Sequence, residues 1–296
     1  MFKGIIGNEQ IQEELMKAVQ NNTISHSYMF IGNEGIGKQQ IAKQFAKMIL
    51  CTENDKDSNK CKSCIEFDSN NNPDFLYIEP EGNSIKIEQI RYLQTKIQEK
   101  PIISNKKVYI INDANKMTTE AQNCLLKTLE EPPEYSTIIL IGSNSNAFLN
   151  TIKSRCMMLI FKPIDDELIK EYLQKNYNID NIDSNVLKTF QGSIGKAIAL
   201  KDKTEQYIQV QNIIQNLNKK NIVEIISMSE ILYKNKDDIE NILEYINLTL
   251  LNLTKEEIKY VNCIKIVEDT KKRLNQNANY DMCIDNMLFN MWEEVI

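Results

Sequence analysis

At 296 residues the chain has room for two or three domains with separate cores, and 42% hydrophobic with 26% charged residues is ordinary for a globular protein in water. A formal net charge of −6 argues against a freestanding nucleic-acid binder, because neutralising phosphates requires surplus Lys and Arg. No apolar run approaches membrane-spanning length, the start MFKGIIGNEQ has no apolar signal core, and the seven cysteines are too irregularly spaced for a disulfide framework; the cytosol is the expected compartment, with no membrane partner.

Ser27–Ile31 (SYMFI) predicts a short strand. His26, the only histidine, precedes it and reads as structural, since no Ser or Cys nucleophile is placed with it in a recognisable arrangement. The strand runs into GNEGIGKQQ (32–40), where Gly32, Gly37 and Lys38 satisfy G-x-x-x-x-G-K and Gly35 adds backbone freedom. Glycines let successive N–H groups curl around phosphate oxygens, and the lysine places a point charge at the β/γ position. From Lys38 to Leu50, apolar residues at Ile41, Ala42, Phe45, Ala46, Ile49 and Leu50 trace one helical face.

The magnesium half of such a site is deficient. The motif normally ends in Ser or Thr, whose hydroxyl reaches Mg²⁺, and here Gln39 follows the lysine. A carboxylate pair is expected after the later strand VYII (108–111), where this chain has Asn112–Asp113. Both departures face the same ion, so the pocket is expected to hold ATP or ADP at most, without cleaving it.

Between these lies a polar stretch with Cys51 and the pair Cys61-Lys-Ser-Cys64. A redox reading of C-x-x-C lacks a thioredoxin-like context. Asp74–Ile78, Thr137–Ile141 and Met157–Phe161 predict further strands, and Thr118 or Thr119 can cap a helix that runs to about Leu129 and stops at Pro132–Pro133. Strands alternating with helices imply a largely parallel sheet covered on both faces. Beyond Pro163 the pattern turns to short helices interrupted at Gly192–Gly195, and from Lys201 onward no Gly or Pro occurs. Near the end, Tyr280, Cys283, Ile284, Met287, Leu288 and Met291 form one apolar stripe, read as a buried helix face; Cys124, Cys156, Cys263 and Cys283 likewise read as packing residues. The expected organisation is α/β over 1–162 with an insertion at 51–67, a small helical module over 163–203 and a helical bundle over 204–296.

IKIEQIR (85–91), KVYIINDANKM (107–117), AQNCLLKTLEEPP (121–133) and TIKSRC (151–156) occur in that order. Together they resemble the AAA+ subunits of the bacterial sliding-clamp loader, the assembly that places the processivity clamp of DNA polymerase III on primed DNA. HSYMFIG (26–32), GSIGKAI (192–198) and LNQNANYDMCIDNML (274–288) extend the likeness across nearly the whole chain. The resemblance implies a RecA-like parallel sheet with flanking helices, a helical lid and an all-α collar that holds subunits together.

Two branches share these motifs, the hydrolysing gamma/tau motor and the non-hydrolysing delta-prime type. Gln39, Asn112 and, at the second sensor, Gly195 in place of an arginine favour the delta-prime branch, as does the lack of a long tail after residue 296. The implied role is a stator in the DNA polymerase III holoenzyme with no ATPase of its own, partnered by gamma/tau and delta subunits, the sliding clamp and primed DNA. In this family the arginine of Ser-Arg-Cys, here Arg155, points into the nucleotide site of the next subunit. Family members often hold structural zinc through four cysteines, and the fourth position falls here on Phe67. Either zinc binds Cys51, Cys61 and Cys64 with Asp68 or water, or the metal has been lost. An active gamma/tau-type motor is the alternative function.

Overall fold

The computed structural model describes residues 2, 4–53, 56, 60–179, 182–227, 229–255 and 257–296, so residues 54, 55 and 57–59 of the expected insertion lie outside the described residues. By its contacts the chain divides into two units, one of residues 1–168 with 193–195, the other of 169–192 with 196–296. The expected three-way division is finer than this pair.

The first unit is built on five parallel strands, β1 (Ser27–Ile31), β2 (Phe75–Ile78), β3 (Lys107–Ile111), β4 (Ser136–Gly142) and β5 (Met157–Ile160), in the spatial order β2-β3-β4-β1-β5. Phe30 on β1 stands opposite Ile141 on one side and Leu159 on the other. Side chains alternate across the sheet, so each apolar run feeds two cores. Tyr28, Phe30, Val108, Ile110, Ile139 and Ile141 pack on one face against α1 (Glu9–Gln20) and α2 (Lys38–Leu50). Met29, Ile31, Tyr109, Ile111, Ile138 and Leu140 pack on the other against α4 (Ile87–Gln98) and α5 (Thr119–Glu130). The helical face expected from Ile41 to Leu50 is buried throughout. Short helices α3 (Lys62–Asp68) and α6 (Asn150–Lys153) carry the cysteine pair and the approach to Arg155.

The start of α5 is set by Thr118, whose hydroxyl oxygen accepts from the Ala121 N–H at 3.2 Å, and Pro132 closes it two residues beyond its end. Asp74, fully buried just ahead of β2, accepts from the N–H groups of Ile102, Ile103 and Ser104 at 2.8, 2.8 and 2.7 Å. Those bonds tie the loop before β3 to the sheet edge.

The second unit is helical: α7 (Asp166–Tyr177, which begins in the first unit), α8 (Ser184–Thr189), α9 (Ile194–Leu200, which also begins in the first unit), α10 (Thr204–Gln215), α11 (Ile222–Ser227), α12 (Ser229–Lys234), α13 (Ile239–Leu253), α14 (Tyr260–Asn275) and α15 (Tyr280–Val295). Its centre is α13, packed on α8, α10 and α14, with Tyr245 meeting Tyr207 edge-on at 5.0 Å between ring centres. The stripe read from Tyr280 to Met291 is buried along α15, as its helical spacing requires.

Replacing Asp74 by Ala strips three backbone donors of their acceptor. Since hydrogen bonds to a charged group contribute about 1.5–3 kcal/mol each and do not add fully, Asp74→Ala is expected to lower unfolding stability by about 2–4 kcal/mol in urea titration. An unchanged midpoint would show that loop 102–104 does not depend on this carboxylate.

Candidate functional site

Three groups of residues singled out in the sequence lie in the first unit, and β1 organises two of them. Its C-terminal end delivers the glycine loop. Gly35 and Gly37 adopt left-handed φ values of +72° and +91°, which side-chain-bearing residues rarely adopt. Ile36 between them is buried against the core, so the loop is fastened from beneath. Gly32 has no room for a Cβ, which would meet the Phe161 carbonyl at 2.7 Å.

Lys38 is held by the loop itself: its Nζ donates to the carbonyls of Gly32 at 2.6 Å and Asn33 at 2.5 Å. Burial lowers its pKa, against the opposing charges of Glu34 and Asp113. A phosphate at this place must draw the ammonium away from two carbonyl oxygens. Gln39, in the position of the missing hydroxyl, donates its amide N–H to the Tyr77 hydroxyl on β2. Tyr77 has its pKa pushed up to about 12, by burial first and then by Glu79. Asp113 sits in a left-handed conformation (φ +47°) after β3, with its carboxylate 3.2 Å from Lys116 Nζ. Gln39 and Asp113, both expected on the magnesium side, are thus engaged with protein partners.

Ser193–Gly195 packs with the first unit and closes over the loop. The Gly195 N–H donates to the Gly35 carbonyl at 3.0 Å, and a Cβ on Gly195 would come to 2.9 Å from Gly35 Cα. An arginine at position 195 cannot be seated in this packing.

Arg155 belongs to the opposite end of β1. Ser27 Oγ, at the first residue of the strand, donates to the Arg155 carbonyl at 2.6 Å, and the Arg155 N–H donates to Ile152 O at 3.0 Å. The turn ahead of it is fixed from α5: buried Gln122 donates to Ala147 O at 2.9 Å and accepts from the Leu149 N–H at 2.9 Å, setting the start of α6. Arg155 Nη1 donates to Thr151 O at 2.9 Å and Ser154 Oγ at 3.3 Å, while Nη2 lies 2.7 Å from Glu130 Oε1. Of five guanidinium N–H groups, Nε–H and one on Nη2 have no partner among the described residues. The adjacent Cys156 thiol is pushed up to about 11 by burial, so it stays protonated.

Sequence reading did not single out Glu130 or Gln122. Both lie inside AQNCLLKTLEEPP, and only the fold reveals that this motif serves Ser-Arg-Cys. β1 spans five residues, so the glycine loop and Arg155 lie roughly 17 Å apart along the strand.

Cys51, Cys61 and Cys64 bring their sulfurs within 4.8 Å of one another, and the Cys61 and Cys51 sulfurs are 3.9 Å apart. A hydrogen-bond relay reaches them from the main domain. Ser104 Oγ donates to Leu50 O, which uses its single proton, so Ser63 Oγ donates to Ser104 Oγ; Asn72 Nδ2 then donates to Ser63 Oγ. Three sulfurs at this spacing suit one thiophilic ion such as zinc. A closed tetrahedral set is not formed by the described residues: Phe67 stacks on Phe75 with ring centres 4.6 Å apart. Asp68, the expected substitute ligand, is not in the cluster, because its carboxylate pairs with Lys47 Nζ at 2.8 Å.

A family model described as DNA polymerase III, delta subunit matches residues 7–165, just over half of the chain. The chain belongs to this family. Among individual proteins, it is 29% identical to the DNA polymerase III subunit delta' of Bacillus subtilis, over 96% of both chains. It is 31% identical to the tau/gamma subunit of Haemophilus influenzae over 68% of its own length, and 27% identical to the tau subunit of Bacillus subtilis over 95%. It spans only 30% and 56% of those two longer relatives. The solved structure of a DNA polymerase III gamma subunit-related protein from Thermotoga maritima superposes with a TM-score of 0.51, at 18% identity, over 95% of this chain and 99% of that one. The parallel sheet followed by a helical region is accordingly the clamp-loader fold that the motifs imply. No helix among the described residues is long and apolar enough to cross a membrane.

Burial pushes the Cys61 thiol up, but hydrogen bonds from the Thr52 and Cys64 backbones, joined by their side chains, outweigh it and bring the pKa from 9.0 down to about 6; the burial of Cys64 raises its own. A depressed pKa means that the thiolate stabilises the fold fully above 9 and that this is lost as pH falls through 6. In metal-free protein, thiolate ultraviolet absorbance is expected to show one step near pH 6 that Cys61→Ser removes. A first step no lower than that of an ordinary thiol would contradict this assignment.

Proposed function

We propose that this family member is a non-hydrolysing stator of the DNA polymerase III clamp loader. It lends Arg155 in trans to the nucleotide site of a neighbouring motor subunit while the sliding clamp is loaded onto primed DNA. Its partners on this reading are gamma/tau and delta subunits, the clamp and, through the complex, DNA; its setting is the cytoplasm. The observation that carries the proposal is the placement of Arg155 and the glycine loop at opposite ends of β1. The Arg155 main chain is tied to Ser27, roughly 17 Å of strand from its own chain's glycine loop, farther than an arginine side chain extends. The guanidinium can serve a phosphate presented by another chain.

The chemistry required of Arg155 is limited. Its main chain is fixed by Ser27, and its free N–H groups can pair with phosphoryl oxygens as charge shifts in the transition state. In other NTPases a trans arginine is worth roughly 10³–10⁵ in rate. The loop at Gly32–Lys38 is proposed to act as scaffold, holding ATP or ADP weakly if at all, because Lys38 must leave its carbonyl partners and Gln39 offers no hydroxyl. Zinc at Cys51, Cys61 and Cys64 is proposed to take its fourth ligand from solvent and to exchange readily; stoichiometric zinc that survives exhaustive dialysis would indicate a closed site instead. Identity to tau and gamma subunits, with an intact G-x-x-x-x-G-K, keeps a gamma/tau-type motor as the second reading.

Purified chain with magnesium and ATP, with or without primed DNA and clamp, is expected to show no turnover above background. In the reconstituted complex, Arg155→Ala should preserve assembly and lower ATP hydrolysis and clamp loading by at least about tenfold, a conservative bound against the range for trans arginines; Lys38→Ala should leave both unchanged. Turnover by the isolated chain that Lys38→Ala abolishes would replace the stator with the motor.

A further inference from the structure

We infer that Glu130 is a latch on Arg155, holding the guanidinium within its own chain until a phosphate on a neighbouring subunit competes for it. The inference deepens the proposed function and rests on Arg155 serving a nucleotide in trans.

Glu130 is the last residue of α5 and is followed by Glu131 and Pro132. A helix C-terminus carries partial negative charge and disfavours acidic side chains, and two glutamates there compound the repulsion. Arg155 relieves it, placing Nη2 2.7 Å from Glu130 Oε1. The two side chains are 33% and 48% exposed, so the pair is screened by water and weak enough to open.

The geometry sets Glu130 against the approaching ligand. Arg155 is steadied independently by Thr151 O and Ser154 Oγ through Nη1, so loss of Glu130 does not release the side chain altogether. What Glu130 adds is negative charge on the Nη2 edge, next to the remaining free N–H groups. A nucleoside triphosphate brought to that edge meets the carboxylate and the C-terminus of α5 together. Its two-pronged contact with the free N–H groups on Nε and Nη2 is opposed by that negative charge until Glu130 withdraws. A phosphoryl group can drive that withdrawal, because it offers more charge and more acceptor oxygens than a carboxylate, inside an interface that excludes water. Glu130 is thus a positioning residue and touches no reacting atom.

The latch must open whenever Arg155 engages phosphate, in the ground state as much as in the transition state. Its cost is therefore uniform, falling on KM and sparing kcat. In the full reconstituted complex with primed DNA and clamp, Glu130→Gln is expected to lower the KM for ATP about threefold at unchanged kcat, the size expected from an exposed ion pair. Glu130→Asp should retain most of the latch. The difference should shrink at high salt and vanish when Arg155→Ala is combined with Glu130→Gln. Unchanged KM, or a fall in kcat alone, would overturn the latch while leaving Arg155 as the trans group. A Glu130→Gln effect that persists in the Arg155→Ala background would place its origin elsewhere in the complex and also overturn it. If Arg155→Ala itself changes nothing, the trans reading fails and the latch fails with it. Thermal unfolding of Glu130→Gln matching the parent confirms that KM is compared between folded proteins.

Discussion

The parallel pairing of β1 with both β4 and β5 is the interaction on which the rest of the first unit depends. A strand hydrogen-bonded on both edges and buried on both faces has its position fixed in all directions, so groups fastened to its ends inherit that rigidity. At one end the chain passes straight into the glycine loop; at the other, the Ser27 hydroxyl grips the backbone of Arg155. The separation of the two is the length of the strand. No side-chain rotation closes that gap, and on the proposed reading this makes the action of Arg155 intermolecular.

The glycine loop keeps the backbone geometry of a phosphate site. Its left-handed glycines, buried Ile36 and the helix behind Lys38 are features of folding as much as of ligand binding. What differs is the occupancy of its polar groups. Lys38 is satisfied by carbonyls of the loop, Gln39 by Tyr77, and the space of a sensor side chain by Gly195 lying directly on Gly35. Each contact settles a polar group or fills the space beside the loop. The contrast with Arg155, which retains exposed charge and free donors, is chemical as well as spatial.

The cysteine cluster is positioned by hydrogen bonds from outside it. Leu50, Ser104, Ser63 and Asn72 form a buried relay that anchors α3 to the main domain, and the same turn brings Cys61 and Cys64 up to Cys51. The described part of the insertion thus has protein-supplied anchorage. With Phe67 committed to Phe75 and Asp68 to Lys47, the sulfurs remain three in number among the described residues.

Local pattern determined the five strands, the buried faces of α2 and α15 and, through Pro132–Pro133, the stop of α5, because apolar runs, helical spacing and proline geometry each act within a few residues. The ordered motifs carried the family. The glycine loop, Gln39, Asn112 and the Ser-Arg-Cys turn were legible as residues, since each has a chemical signature that needs no neighbour to be recognised. Partnership was not legible. Nothing in the spacing of Glu130 and Arg155, or of Gly35 and Gly195, or of Asp68 and Lys47, announces contact across tens of residues. Strand order decided those encounters: inserting β1 between β4 and β5 brings the end of α5, the start of β5 and the first residue of β1 together, a long-range choice made by packing two cores at once.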